Sequence, residues 1–253
     1  MRIGIVGSNG HVGSAMKKLF KNAVCYDINV GTKEEINTCD SVFVCVPTPA
    51  NNDGSCNTEI VESVISWLNV PLIILRSTVP VGFTDEMREK YKKEIVFQPE
   101  YYGETVDHPF ANLESRQWLT FGGSPAGIHL AIKTYQTVHN SNISVYQGDA
   151  RSIELAKYME NAFLATKVIF CNEMKDIADA LGANYDIARE AWLADPRIGR
   201  SHTWVYEENR GFGGSCLPKD ISSIAFQSAT EGVDCTLIKA VIYKNNEYHK
   251  KEK

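Results

Sequence analysis

The run Gly211-Phe212-Gly213-Gly214-Ser215-Cys216-Leu217-Pro218-Lys219-Asp220 sets a thiol between a glycine-rich approach and a proline. Proline suits the first turn of a helix, because its φ is already helical and it lacks an N–H that would go unpaired there. A cysteine at such a boundary faces the positive end of the helix dipole, which lowers its pKa and favours the nucleophilic thiolate. The glycines let backbone and substrate come close to the sulfur. An isolated cysteine is more often a small buried hydrophobe. Lys219 and Asp220, directly after this one, weigh against that reading.

A second group of residues suits oxygen chemistry. Lys157 and Asn161 are four apart in a long helical pattern, so they share a face. An ammonium and an amide side by side polarise a carbonyl or stabilise an alkoxide, although an ordinary solvated helix face has the same look. Glu100 and Glu104 follow a short apolar strand, at the end where ligands collect in parallel sheets.

Near the start, Gly7-Ser8-Asn9-Gly10-His11-Val12-Gly13 separates an apolar strand from a helical pattern. Glycines there allow a tight turn and let a pyrophosphate meet the helix N-terminus. The G-x-x-G-x-x-G spacing is one residue longer than the commonest fingerprint. Asp27 closes the second strand twenty positions after Gly7, where a carboxylate bonds the ribose hydroxyls of NAD and repels the extra phosphate of NADP. The predicted cofactor is therefore NAD, held by Gly7, Asn9, Gly10, His11, Val12, Gly13 and Asp27. The longer spacing also suits short-chain reductases and epimerases, which use a Tyr-x-x-x-Lys pair. No tyrosine here has a lysine four residues later.

These groups need a scaffold. Short apolar runs at residues 3–6, 23–26, 41–46, 71–76, 95–97, 118–121 and 143–146 read as strands. Helical patterns at 11–21, 58–68, 84–91 and 125–138 fit between several of them. Such alternation predicts the α/β class: a Rossmann-type, doubly wound, mostly parallel sheet covered on both faces. From about residue 149 to 181 the pattern is continuously helical, with Ile153, Ala156, Met159, Ala162 or Phe163, Thr166, Ile169 or Phe170 and Met174 at steps of three and four. Further helices are predicted at 186–193, 222–229 and from about 237. Two domains follow: an NAD-binding domain at 1–148 and a helical, dimerisation and catalytic domain at 149–253. Residues 195–215 form a long loop with four glycines and three arginines, of a length that is usually functional or disordered.

The bulk numbers narrow the class. The net charge of −5 argues against a nucleic-acid binder. Seven cysteines without a C-x-x-C pair favour neither a zinc site nor a disulfide framework, so no metal is expected. No apolar run approaches membrane-spanning length, and the opening residues pass directly into a strand without a signal-peptide pattern. A soluble, cytoplasmic protein is expected.

Taken in order, the segments resemble the UDP-glucose/GDP-mannose dehydrogenase family. The resemblance covers almost the whole chain. It rests on Gly10-His11-Val12-Gly13, Val46-Pro47-Thr48-Pro49, Ser77-Thr78-Val79-Pro80-Val81-Gly82, Gln98-Pro99-Glu100-Tyr101, Lys157 with Asn161-Ala162-Phe163-Leu164-Ala165 and Asn172-Glu173, Arg197-Ile198-Gly199, and the Cys216 run. Members oxidise a primary alcohol of a sugar nucleotide to a carboxylate with two NAD. The resemblance implies that Cys216 traps the intermediate aldehyde as a thiohemiacetal, which is oxidised to a thioester and hydrolysed. It implies that Lys157 and Asn161 stabilise oxyanions and that Asp220 orients a water and Lys157. It makes Glu100 the base of hydrolysis, with Thr78 positioning the water. Pro47, Thr48, Thr78 and Glu104 join the cofactor site, and Tyr101, Lys157, Asn161, Arg197 and Gly213 the substrate site. Arg197 matches an arginine that reaches the neighbouring subunit's sugar site, so a homodimer through the second-domain helices is expected.

Relatives continue beyond the segment matching residues 240–246 into a third domain that binds the nucleotide. The expectation is that this chain lacks that domain and its substrate-binding lysine. A few extra residues at 204–209 and a short stretch between Asp27 and Asp40 are further departures. Two alternatives follow: a two-electron dehydrogenase of the β-hydroxyacid or 6-phosphogluconate type, which has no need of a cysteine at 216, and a non-catalytic NAD-binding module.

Overall fold

A strand that is apolar on both faces needs cover on both sides. Ile3–Val6 (β1), Ser41–Val44 (β3), Leu72–Leu75 (β4) and Ile95–Phe97 (β5) are buried at every position. The computed structural model describes residues 1–101, 117–139 and 142–251. Among them, these four strands join Val24–Tyr26 (β2), Trp118–Gly122 (β6) and Ser144–Gly148 (β7) in one sheet of order β2-β1-β3-β4-β5-β6-β7. Every neighbouring pair is parallel except β5 with β6.

The strand period of two divides the core. Phe43 and Ile74 point to one face, where Met16 and Leu19 of α1 (His11–Leu19) and Ala131 and Tyr135 of α5 (Pro125–Tyr135) pack. Val42, Val44, Ile73 and Leu75 point to the other, against Ile36 of α2 (Lys33–Ile36), Val61 and Ile65 of α3 (Glu59–Trp67) and Phe83 and Met87 of α4 (Phe83–Tyr91). The predicted doubly wound, mostly parallel sheet is what forms.

The differences from expectation are local. Helix α2 was absent from the sequence prediction. It is a single turn, too short to show a period, but it has a full capping box in which Thr32 and Glu35 bond each other's backbone N–H. The helices expected at 11–21 and 125–138 stop at Leu19 and Tyr135.

Helix α6 (Ala150–Ala180) runs through the division between two compact units, one of Met1–Pro49 and Cys56–Lys157, the other of Ala50–Ser55 and Tyr158–Lys253. In the second unit, Ala162, Ala165, Val168 and Ile169 of α6 share a core with Phe212, Ile221 of α8 (Leu217–Thr230) and Val241 and Tyr248 of α9 (Thr236–Lys251). The helix expected at 222–229 thus begins earlier, with its N-cap at Cys216 and Pro218 in its first turn. The long loop is pinned. Lys167 Nζ donates to the carbonyls of Ile198 (3.0 Å) and Gly199 (2.6 Å). Arg189 of α7 (Tyr185–Trp192) bonds Thr203 and lies over the Trp204 ring, 3.4 Å from its centroid.

One helix start in the first unit is capped from a distance. Helix α4 follows Gly82, which is left-handed (φ 99°) and brings no capping side chain. Glu154 of α6 supplies the cap: Oε2 accepts from Gly82 N at 2.6 Å and Oε1 from Thr84 N at 2.9 Å. Glu154 is fully buried, and that burial pushes its carboxyl up despite the hydrogen bonds that favour the charged form. Removing it by Glu154→Ala should cost about 1–3 kcal/mol in urea unfolding, the range for orphaned buried donors. A carboxyl raised on folding contributes most below the ordinary carboxyl range and loses that contribution as pH rises through its folded value. Glu154→Gln, which cannot titrate, should therefore flatten the fall in stability just above the ordinary carboxyl range, seen in unfolding curves taken at stepped pH.

Candidate active site

The strand order reverses about β1, which lies between β2 and β3. A crevice outside the carboxyl ends of the strands is expected there, and the glycine turn leaves β1 at that end. Gly7 is left-handed (φ 79°), and a Cβ on it would lie 2.5 Å from the Cys45 carbonyl oxygen. A Cβ on Gly13 would lie 2.0 Å from the Gly7 oxygen. Gly10 is less constrained, its added Cβ meeting Gly7 O at 3.4 Å. Asp27 ties the turn to the end of β2, its Oδ2 accepting from Asn9 N at 2.7 Å. Helix α1 starts at Gly10 with no side-chain cap and no acidic residue in its first turn. His11 is exposed and Val12 half-buried beside it. Ser8 Oγ is fully buried and has no hydrogen-bond partner among the described residues. A tight turn, an uncapped helix start and a carboxylate at the next strand fit a dinucleotide.

Other expected residues lie at the ends of the neighbouring strands. After β3, Pro47 is exposed and Thr48 buried. After β4, Ser77 Oγ donates to the Val46 carbonyl at 2.6 Å, and the carbonyl of half-buried Thr78 accepts from Cys56 Sγ at 3.6 Å. After β5, Glu100 forms a buried ion pair with Arg76 and accepts from Tyr101 N at 2.6 Å. Arg76, only 2% exposed, also donates to Gln98 Oε1 (2.5 Å) and Tyr135 Oη (2.9 Å), and Tyr135 donates to Gln98 (2.7 Å). A buried ion pair stands only when its other polar atoms are satisfied. These bonds meet part of that need and hold the carboxylate in one orientation, while Gln98 Nε2 stays buried with no hydrogen-bond partner among the described residues. Lys157 Nζ sits 4.8 Å from the Tyr101 ring centroid, a cation–π approach. Glu104 lies outside the described residues.

In the second unit, Cys216 is exposed at the N-cap of α8. Of the seven cysteines it alone is exposed, and burial pushes the Cys45 thiol up to about 12. Asp220 N donates to Cys216 O at 2.9 Å, one turn along. The Asp220 carboxylate, 1% exposed, accepts from Asn161 Nδ2 at 2.5 Å and pairs with Lys219 Nζ at 2.7 Å. Gly213 is exposed, with open space where a Cβ would point. Arg197, 86% exposed, is paired with Asp195, whose carboxyl that arginine pulls below its ordinary range.

The sequence reading named Cys216, Asn161 and Asp220, and the structure joins the last two by a hydrogen bond and the first to the third by a helical turn. It missed Arg76, Gln98, Tyr135 and Glu154. Arg76 directly precedes Ser77-Thr78 and Gln98 stands in the strand-end motif, so both were adjacent to residues already named. Nothing in the local sequence marks Tyr135 or Glu154. Among the described residues, no helix is long and apolar enough to cross a membrane.

A doubly wound sheet with a glycine turn at its switch point, followed along the chain by a helical unit, defines a dinucleotide-binding architecture. Residues 13–108 match the NAD binding domain of the UDP-glucose/GDP-mannose dehydrogenase family, and residues 151–247 match its central domain. A UDP-glucose 6-dehydrogenase of Bacillus subtilis is 31% identical over 238 residues, covering 89% of this chain and 53% of that protein. The chain thus spans about half the length of the curated relatives it matches. A UDP-glucose dehydrogenase structure from Pyrobaculum islandicum superposes with a TM-score of 0.83 at 23% identity, over 97% of this chain and 68% of that one. A Mycobacterium tuberculosis 3-hydroxyisobutyrate dehydrogenase shares the fold with a TM-score of 0.72 at 17% identity, over 98% of this chain and 94% of that one. The chain belongs to the UDP-glucose/GDP-mannose dehydrogenase family, and its cofactor is NAD.

The added-Cβ distances separate the glycines. Gly13→Ala should abolish NAD binding in calorimetry and lower thermal stability, because backbone must move. Gly10→Ala should keep the stability of the parent, so any loss of affinity there reports how closely the cofactor approaches the turn.

Proposed function

We propose that the chain is an NAD-dependent nucleotide-sugar dehydrogenase that carries a primary alcohol through the aldehyde to the carboxylate, with UDP-glucose to UDP-glucuronate as the type reaction. The observation that carries this is an exposed thiol at a helix start, one turn before a buried carboxylate that a lysine and an amide hold in place. Gly7, Asn9, Gly10, His11, Val12, Gly13 and Asp27, with Pro47, Thr48, Thr78 and Glu104, would hold NAD, which when bound would supply the hydride acceptor for both oxidations.

The chain's own residues do the rest. Cys216 adds through sulfur to the aldehyde carbon, giving a thiohemiacetal whose oxygen Lys157 and Asn161 stabilise. After the second oxidation, water attacks the resulting thioester and returns the thiolate. Glu100 takes the proton of that water, with Thr78 and Asp220 orienting it. The Arg76 pair supports this role by holding Glu100 in one orientation. Tyr101 and Gly213 line the substrate site.

The active form is a homodimer in which Arg197 serves the neighbouring subunit's sugar site. Met159, Phe163, Phe170, Met174 and Ile177 of α6, with Leu181 just beyond its end, are all exposed at helical spacing, an apolar stripe of the kind that marks an interface. The setting is cytoplasmic, consistent with seven cysteines and no disulfide among them.

A two-electron hydroxyacid dehydrogenase is the second reading, favoured by the near-complete coverage of the 3-hydroxyisobutyrate dehydrogenase chain. Product stoichiometry separates the two. With a panel of nucleotide sugars and small hydroxyacids, the proposal expects two NADH per acid formed from a nucleotide sugar, and acid formation lost in Cys216→Ala. One NADH per turnover, unaltered by that substitution, rejects the covalent route.

A further inference from the structure

The loop that delivers Cys216 is held at its near end by side chains of α9 and α6, Asn245 foremost. Asn245, 6% exposed, grips the backbone of Phe212 at both groups: its Oδ1 accepts from Phe212 N at 2.7 Å and its Nδ2 donates to Phe212 O at 3.1 Å. His249 Nε2 reaches the same carbonyl at 3.0 Å. The preceding residue is fitted to this grip. Gly211 is left-handed (φ 84°), and a Cβ on it would lie 2.5 Å from Asn245 Oδ1. Asn172 of α6 adds a second hold, its Oδ1 accepting from Gly211 N (3.2 Å) and Arg210 Nε (2.7 Å).

Beyond Phe212 the chain is exposed through Cys216. It is fixed again at Asp220, by Asn161. The thiol therefore sits on a short glycine-rich span between two amide-held points. An amide matches a backbone N–H and C=O together because it carries one acceptor and one donor pair in a fixed plane. Neither aspartate nor leucine does.

We propose that Asn245 is a positioning residue for the sulfur chemistry: by clamping the Phe212 peptide it sets where Cys216 stands. This rests on the reading of Cys216 as the nucleophile. It makes a distinction that a general folding role does not, since the first oxidation, alcohol to aldehyde, needs no sulfur, whereas the second does.

The test uses the full chain with NAD and, separately, UDP-glucose and its 6-aldehyde. Asn245→Ala should slow acid formation from the aldehyde by roughly a hundredfold, the scale set by a misplacement of about 1 Å, while the first hydride transfer from UDP-glucose and NAD affinity stay at parental values. Asn245→Asp, which keeps the acceptor for Phe212 N and loses the donor to Phe212 O, should fall between. Equal losses in both half-reactions, or no loss in either, while Cys216→Ala abolishes acid formation, overturn the role of Asn245 alone. Acid formation that survives Cys216→Ala overturns the reading of the sulfur, and the positioning role with it.

Discussion

A carboxylate cannot stand alone in a protein interior, and Asp220 is a carboxylate in the interior. Its partners set the geometry around it. Asn161 must face the first turn of α8 to reach it, and Lys219 must fold back beside it. With those contacts made, the register of α8 against α6 is fixed. Tyr158 and Ser223 repeat the tie close by, their hydroxyls 3.1 Å apart and buried. Cys216 inherits its place from this arrangement, because the first helical hydrogen bond of α8 joins its carbonyl to Asp220. The penalty for leaving such a charge unanswered is several kcal/mol, which makes the pairing a constraint on the helices rather than an ornament.

The first unit has a parallel logic at Glu100. Its partner Arg76 leaves β4, and the supporting Gln98 and Tyr135 come from the β5 end and from α5. Three elements therefore have to be in place before the carboxylate is oriented. The cap that Glu154 places on α4 does the same for the turn after Ser77-Thr78. Both devices use buried charge to locate a loop at the carboxyl ends of strands.

The fold was legible because its strands announce themselves. Runs such as Leu72–Leu75 have no polar residue, and glycines at 7, 10 and 13 punctuate the first strand and helix. The long helix was legible from its three-four spacing. Helix α2 was not, since one turn has no period, although Thr32 and Glu35 spell its cap. In the site, Cys216, Asn161 and Asp220 were visible as a thiol and polar groups in recognisable company. Arg76, Glu154 and Asn245 were not, because their value lies in partners dozens of residues away: Glu154 caps a turn 72 positions upstream, and Asn245 holds a peptide 33 positions upstream. Local sequence carries no trace of a hydrogen bond at that range.

The distribution of sulfur across the fold has a chemical consequence. Cys39, Cys45 and Cys171 are buried, Cys25, Cys56 and Cys235 half-buried, and Cys216 exposed. Electrophile attack on a protein thiol follows access and thiolate character together. A dilute alkylating or oxidising agent should thus write its first mark at a single address, leaving the scaffold's other sulfurs untouched. On the proposed reading of Cys216, mild oxidants would silence the chain's chemistry well before they unfolded it.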